Sequence, residues 1–92
     1  MSVSIIVPYF EAPDALEITL AALAEQTYPG LLVEVLIVDD GSEPPLAQIE
    51  GVGGLRVRVL RQENLGFGLA RARNRGAAEA TGEILVFLDC DM

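Results

Sequence analysis

The sequence predicts an α/β fold built on a parallel sheet, and three observations support this prediction. Short apolar, β-branched runs alternate along the chain with segments in which apolar residues recur at helical spacing. Two of the apolar runs end directly in acidic residues, as expected where buried strands reach the ligand-binding edge of an open sheet. The resulting order is β-α-β-α-β-α-β, which implies right-handed crossovers with helices on both faces of the sheet.

The first strand and the first helix are predicted from the amino-terminal residues. Val3 to Val7 form an apolar run that Pro8 ends, and such a run is typical of a buried parallel strand. Pro13 suits the first turn of a helix, which should continue until Tyr28-Pro29-Gly30. Three leucines at helical spacing define its buried face: Leu16, Leu20 and Leu23.

The middle of the chain predicts two further strands with a short helix between them. Val33 to Val38 form the second strand, which leads into Asp39 and Asp40. Pro44-Pro45 should open a short helix that runs through Ile49. Arg56 to Leu60 alternate between arginine and apolar residues, which predicts a strand exposed on one face.

The last helix and strand follow a glycine-containing loop, Gly66-Phe67-Gly68. The helix is expected over about Leu69 to Ala80, and Gly82 should close it. Glu83 to Leu88 is then the fourth strand. The complete arrangement is a Rossmann-like open parallel sheet with flanking helices.

Composition and charge exclude several classes of function. The chain of 92 residues has one cysteine and no histidine, so it has no internal disulfide, no Cys/His zinc site and no imidazole base. All six basic residues are arginines between Arg56 and Arg75, and the net charge of −8 argues against a nucleic-acid surface. The sequence has no run long enough for a transmembrane segment. A cytoplasmic location is therefore expected, or the cytoplasmic face of a membrane for a longer enzyme.

The acidic residues at the end of the fourth strand are the strongest functional signal. Asp89 and Asp91 flank Cys90 immediately after the apolar run. Mg²⁺ and Mn²⁺ prefer carboxylate oxygens, and ligands of open α/β sheets bind at the carboxyl ends of the strands. This pattern predicts the start of a metal and phosphate site, although two solvated acids at a strand end would give the same sequence.

The ordered set of motifs resembles the amino-terminal, nucleotide-binding half of family 2 glycosyltransferases with a GT-A fold. The resemblance covers essentially the whole chain, 1–92, which ends at the D-x-D pair. It implies the sheet order 3-2-1-4, a nucleotide-diphospho-sugar donor with UDP as the expected nucleotide, inverting sugar transfer to an unknown acceptor, and a Mn²⁺ or Mg²⁺ cofactor. The motifs that carry it are Ser4-Ile5-Ile6-Val7-Pro8, Glu25-Gln26-Thr27-Tyr28-Pro29, Val38-Asp39-Asp40-Gly41-Ser42, Asn64-Leu65-Gly66, Ala72-Arg73-Asn74-Arg75-Gly76, Thr81-Gly82-Glu83 and Phe87-Leu88-Asp89-Cys90-Asp91.

The resemblance assigns roles to the acidic residues one by one. Asp40 is similar to the family's uracil-reading aspartate, which accepts the N3–H of the base. Asp39 is a second nucleotide-binding candidate, with a turn or helix-capping role as the equal alternative. Asp89 resembles the first acid of the D-x-D pair, on the ribose side, and Asp91 resembles the metal ligand.

Other candidate nucleotide-binding residues come from two loops and one helix. Pro8, Phe10 and Glu11 match the loop where the family usually has Pro-x-Tyr-Asn, so Phe10 would stack on the base and Glu11 departs from the pattern. Gly66 would let the backbone approach the nucleotide, or simply begin the helix. Arg73 would bind a phosphate, or pair with an aspartate at the sheet end.

The resemblance also implies what these residues do not supply. The family's acceptor site and catalytic base lie in the half of the fold that follows the D-x-D pair, so the 92 residues alone are expected not to transfer sugar. The alternative function is a non-catalytic nucleotide-binding or assembly module. In the order 3-2-1-4 strand four lies at an edge, and homodimerisation through this edge is expected.

Overall fold

The computed structural model describes residues 2–26, 32–49, 51, 55–66 and 68–89. The strands form one all-parallel sheet in the order β3-β2-β1-β4, which confirms the predicted fold class and sheet order. Helix α1 follows β1, and helix α2 connects β3 to β4. The elements are β1 Ser2–Tyr9, α1 Pro13–Glu25, β2 Leu32–Asp40, β3 Arg56–Gln62, α2 Gly68–Glu79 and β4 Ile84–Phe87.

The two faces of the sheet pack differently, because successive side chains of a strand alternate between faces. In β1, β2 and β3, odd-numbered side chains form the main apolar core with α1, including Val7, Val35 and Ile37. Even-numbered side chains of these strands face α2, which approaches so closely that a Cβ on Gly76 would overlap Ile6. In β4 the parity is reversed, because each even-numbered residue of β4 lies opposite an odd-numbered residue of β1.

Strand β1 continues through Pro8 to Tyr9, so the expectation that Pro8 ends the strand is wrong. Ile6 accepts the N–H of Leu88, which places the hydrogen-bonding groups of Ile6, and hence of Pro8 two residues later, on the β4 side. Pairing between β1 and β4 stops at Ile6. Pro8 lacks the N–H that would continue this pairing, so β1 runs on beside β2 alone.

The short helix expected from Pro44 to Ile49 is absent, and these described residues are irregular. Leu46 donates its N–H to Asp39 Oδ2 at 2.9 Å, where a helix would need an internal partner. The Gln48 side chain pairs with both backbone groups of Val59, at 2.9 and 3.2 Å. Hydrogen bonding to the buried carboxylate of Asp39 and to the backbone of β3 therefore outweighs the tendency of Pro44-Pro45 to begin a helix.

A polar network joins β1, β2 and the α2–β4 connection at the amino-terminal edge of the sheet. Glu34 Oε2 accepts hydrogen bonds from the Ser4 hydroxyl at 2.6 Å and from the N–H and hydroxyl of Thr81, both at 2.8 Å. Ser4 Oγ in turn accepts the N–H of Gly82 at 2.8 Å. A Cβ on Gly82 would lie 2.6 Å from Ser4 N, so the Thr81-Gly82 pair is needed for this close approach.

Strand β4 is the most exposed strand of the sheet. Its four apolar side chains are each 39–46% exposed, whereas the centres of β1 and β2 are buried. It pairs with β1 on one side. In the described part of the chain, no helix is long and apolar enough to cross a membrane.

Candidate functional site

A cavity of about 360 Å³ opens at the carboxyl-terminal edge of the sheet, next to the first turn of α2. It brings together residues that are far apart in the sequence, and four of them were predicted as nucleotide-binding. A set of eight residues lines it: Pro8, Tyr9, Phe10, Asp40, Gly68, Leu69, Ala72 and Asp89. An aromatic side chain, apolar walls and two separated carboxylates are suited to a ligand with a flat ring and hydrogen-bond donors.

Asp40 is fixed in the wall of this cavity by contacts on two sides. Its Oδ1 accepts a hydrogen bond from Gln62 Nε2 at 2.9 Å. Its Oδ2 lies against the first residue of α2, so closely that a Cβ on Gly68 would overlap the carboxylate. Gly68 is therefore required for Asp40 to occupy this position at the helix N-terminus, where a negative charge is favoured.

Asp39 points to the opposite face from Asp40, as alternation along β2 requires. It is fully buried, and Oδ1 accepts the N–H of Ser42 at 3.0 Å. Oδ2 accepts the N–H of Leu46 and pairs with Arg61, both at 2.9 Å. Burial alone would raise the pKa of Asp39, but hydrogen bonds from Ser42 and Leu46 and the charge of Arg61 outweigh it and hold the pKa below its usual value.

These contacts give Asp39 a structural role in holding the residues that follow β2. Asp39 does not line the cavity that contains Asp40. Its predicted nucleotide contact remains a prediction.

Asp89 and Arg73 form an ion pair beside the cavity, with Arg73 Nη2 3.1 Å from Asp89 Oδ2. The pair leaves one acceptor and one donor unused: among the described residues, the buried atoms Asp89 Oδ1 and Arg73 Nε have no hydrogen-bond partner. Buried polar atoms without partners are rare, because each one costs about 1–3 kcal/mol. A ligand that supplies a donor to Asp89 and an acceptor to Arg73 would satisfy both atoms.

Two other predicted residues lie away from this cavity. Glu11 lines a second cavity of about 420 Å³ near Pro44. Its backbone is left-handed, with φ of 45°, and its side chain accepts the N–H of Glu43 at 3.1 Å. Gly66 has φ of 87° and is exposed, with its N–H donated to Asn64 Oδ1 at 3.1 Å. Their predicted nucleotide contacts remain predictions.

Sequence reasoning missed Gln62 as a site residue and the reason for Gly68. The signal for Gln62 is its position directly opposite Asp40 in the β2–β3 register. That register depends on where strand pairing begins, which a single sequence does not state. The sequence places Gly68 in the glycine-containing loop before α2, and only the structure shows that it makes room for the carboxylate of Asp40.

The described residues fit part of a divalent metal site. Asp89 Oδ1 is an unpartnered carboxylate oxygen, the kind of ligand that Mg²⁺ and Mn²⁺ take. Asp91, the predicted metal ligand, lies outside the described residues together with Cys90. Within 2–26, 32–49, 51, 55–66 and 68–89 no cluster of three or more potential metal-ligating side chains occurs.

Comparison with known proteins places the chain in a family. The sequence profile described as Glycosyl transferase family 2 matches residues 4–92. A hyaluronan synthase of Pasteurella multocida is 41% identical over 96 aligned residues, which cover 100% of this chain and 10% of that protein. Polypeptide N-acetylgalactosaminyltransferase 5 of Caenorhabditis elegans is 44% identical over 86% of this chain and 13% of its own length.

Validoxylamine A glucosyltransferase of Streptomyces hygroscopicus subsp. limoneus is 36% identical over 94% of this chain and 19% of its own length. The chain thus spans from about a tenth to a fifth of the length of these relatives. The profile match extends over nearly the whole chain and overlaps every strand of the sheet. The chain belongs to glycosyl transferase family 2.

Proposed function

We propose that this chain binds the nucleotide-diphospho-sugar donor of an inverting glycosyltransferase, with a uridine nucleotide in the cavity at the carboxyl-terminal edge of the sheet. The observation that carries the proposal is the convergence of Phe10, Asp40 and Asp89 on one cavity beside the first turn of α2. The acceptor of the sugar is not specified by any described residue. Family membership supports the reaction class.

Four residues that line the cavity, together with the neighbouring Arg73, bind the donor. Phe10, 44% exposed, offers a face on which a base stacks. Asp40 accepts the N3–H of uracil, and Pro8 contributes to the wall beside it. Asp89 Oδ1 accepts a ribose hydroxyl or binds the metal, and Arg73 Nε donates to a phosphate oxygen.

The charge balance of the cavity favours a metal cofactor. Two carboxylates line it, and Arg73 already pairs with one of them, so a diphosphate needs further positive charge. Asp89 and Asp91 are the residues that would hold Mn²⁺ or Mg²⁺, which would stabilise the departing nucleoside diphosphate as a Lewis acid.

Calorimetric titration of the whole chain with UDP, with and without Mn²⁺, tests this proposal. We expect metal-dependent binding near the millimolar range, or about −4 kcal/mol, because the described walls enclose only part of such a ligand. Asp91→Ala should abolish the Mn²⁺ dependence. Asp14→Ala removes the same charge from the exposed first turn of α1 and should leave binding unchanged. Metal-dependent binding that survives Asp91→Ala would remove Asp91 from the metal site.

The same proposal includes homodimerisation through β4. An edge strand with four exposed apolar side chains presents backbone groups for pairing, and a two-fold contact between two copies would cover both edges at once. Val86→Lys should therefore shift sedimentation toward the monomer. Ile18→Lys, at an apolar residue of α1 that is 72% exposed, is the matched control and should leave sedimentation unchanged. A wild-type chain that stays monomeric at high micromolar concentration would exclude dimerisation through β4.

A further inference from the structure

We infer that Gln62 is a positioning residue, which orients the carboxylate of Asp40 and thereby sets the discrimination between uridine and cytidine nucleotides. The inference rests on the proposed function, because it assumes that Asp40 reads the base. It adds a residue whose side chain is not in the cavity wall and that acts through Asp40.

The geometry around Gln62 determines which way its amide points. Gln62 and Asp40 are directly opposite each other at the end of the β2–β3 pairing. Gln62 Nε2 lies 2.9 Å from Asp40 Oδ1 and 3.4 Å from the carbonyl oxygen of Gly68. Both partners are acceptors, so the amide nitrogen, with its two hydrogens, must be the atom that faces them.

The amide of Gln62 thus links a strand end to the first residue of α2. Gln62 is 8% exposed, and the buried bond has little competition from water. The hydrogen bond from Gln62 to Oδ1, with Oδ2 against Gly68, holds the side chain of Asp40 in one orientation. In the described structure none of the arginines forms an ion pair with Asp40, so its orientation does not come from a cation.

Discrimination between uracil and cytosine requires that the carboxylate of Asp40 keep one orientation. Uracil carries an N3–H donor, whereas the N3 of cytosine is an acceptor, and an acceptor facing a buried carboxylate is left unpaired. If Asp40 can rotate away, it neither rewards the donor of uracil nor penalises the acceptor of cytosine. The loss should therefore appear as a lower ratio of UDP affinity to CDP affinity.

The test compares UDP and CDP binding to the whole chain, with Mn²⁺, in wild type and in Gln62→Met. Methionine has a similar shape but no donor, so we expect the ratio of UDP to CDP affinity to fall about tenfold, mainly through weaker UDP binding. Gln48→Met is the matched control, because Gln48 also bonds to β3 through its amide but does not line the cavity. It should lower thermal stability and leave the ratio unchanged.

A further variant, Asp40→Asn, separates failure of the proposed function from failure of this inference. If Asp40→Asn leaves the wild-type ratio unchanged, Asp40 does not read the base and the proposed function fails at that residue. If Asp40→Asn collapses the ratio but Gln62→Met does not, the proposed function stands and the role of Gln62 is excluded.

Gln62→Glu provides a second variant if the methionine variant does not fold. A carboxylate of nearly equal size replaces the donor with an acceptor next to Asp40, and the ratio should again fall. A crystal structure of either variant should show Asp40 displaced from Gly68. An unchanged Asp40 together with an unchanged ratio would overturn the inference.

Discussion

Carboxylates are buried at both the amino-terminal and the carboxyl-terminal ends of the parallel strands, but their hydrogen bonding differs between the two ends. At the amino-terminal edge, Glu34 Oε2 accepts three hydrogen bonds from the chain itself. At the carboxyl-terminal edge, Asp89 retains an oxygen for which the described residues supply no partner, next to a cavity. A carboxylate that the fold satisfies stabilises the fold, whereas one that it leaves unsatisfied is available to a ligand.

Asp39 is the sharpest test of this distinction, because it lies at the ligand-binding edge and yet is satisfied by the chain. We expect Asp39→Ala to lower the free energy of unfolding by about 3 kcal/mol, since the N–H groups of Ser42 and Leu46 lose their acceptor and Arg61 its partner. Urea denaturation measures this loss. Weaker UDP binding with unchanged stability would instead give Asp39 the predicted nucleotide role.

Gly68→Ala should displace Asp40 from the cavity wall while leaving the chain folded. The added Cβ would occupy the space of the Asp40 carboxylate, and we expect UDP affinity to fall by about thirtyfold, or about 2 kcal/mol. Displacing this buried carboxylate should also lower the free energy of unfolding by about 1 kcal/mol, which is less than the loss expected for Asp39→Ala. Ala70→Ser, on the exposed side of α2, is a control for substitution in this turn. Unimpaired UDP binding by Gly68→Ala would show that Asp40 does not need its present position.

The amino-terminal edge should respond to pH in a defined direction. Burial alone would raise the pKa of Glu34, but hydrogen bonds from Ser4 and Thr81 and the charge of Arg58 outweigh it and hold the pKa below its ordinary value. The stabilisation is therefore fully present above the unfolded-state pKa of about 4.3 and is lost as the pH falls through the lower folded-state value.

Glu34→Gln isolates this contribution. We expect it to destabilise the chain by about 1.5 kcal/mol at pH 7, because a neutral amide accepts hydrogen bonds less strongly than a carboxylate. The difference from wild type should shrink as urea denaturation is repeated at successively lower pH below about 4. A difference that stays constant down to pH 2 would contradict the assigned cause.

Thr81→Val should give the smallest effect on the same network. The hydroxyl of Thr81 contributes one of the three hydrogen bonds to Glu34 Oε2, and its loss should cost about 1 kcal/mol. UDP affinity should be unchanged, because Thr81 lies at the opposite edge of the sheet from the cavity. A change in UDP affinity at constant stability would mean that the two edges are coupled.

The sequence alone determined the fold class and the presence of acids at the strand ends, and the family resemblance supplied the strand order. Apolar runs such as Val33 to Val38 specify buried strands through their composition, which is a local property. Period-two alternation also places Asp39 and Asp40 on opposite faces. Only one of the two could therefore enter a cavity on the α2 side.

Tertiary structure decided the features that depend on contacts distant in the sequence. Residues 44–49 are irregular because they donate hydrogen bonds to Asp39 and to the backbone of β3. These bonds outweigh the tendency of Pro44-Pro45 to begin a helix. The pairing of Gln62 with Asp40 follows from the register of two strands joined by a long connection. Whether a buried group is hydrogen-bonded depends on its neighbours in space. The sequence therefore shows which carboxylates are present, and the fold determines which of them remain available to a ligand.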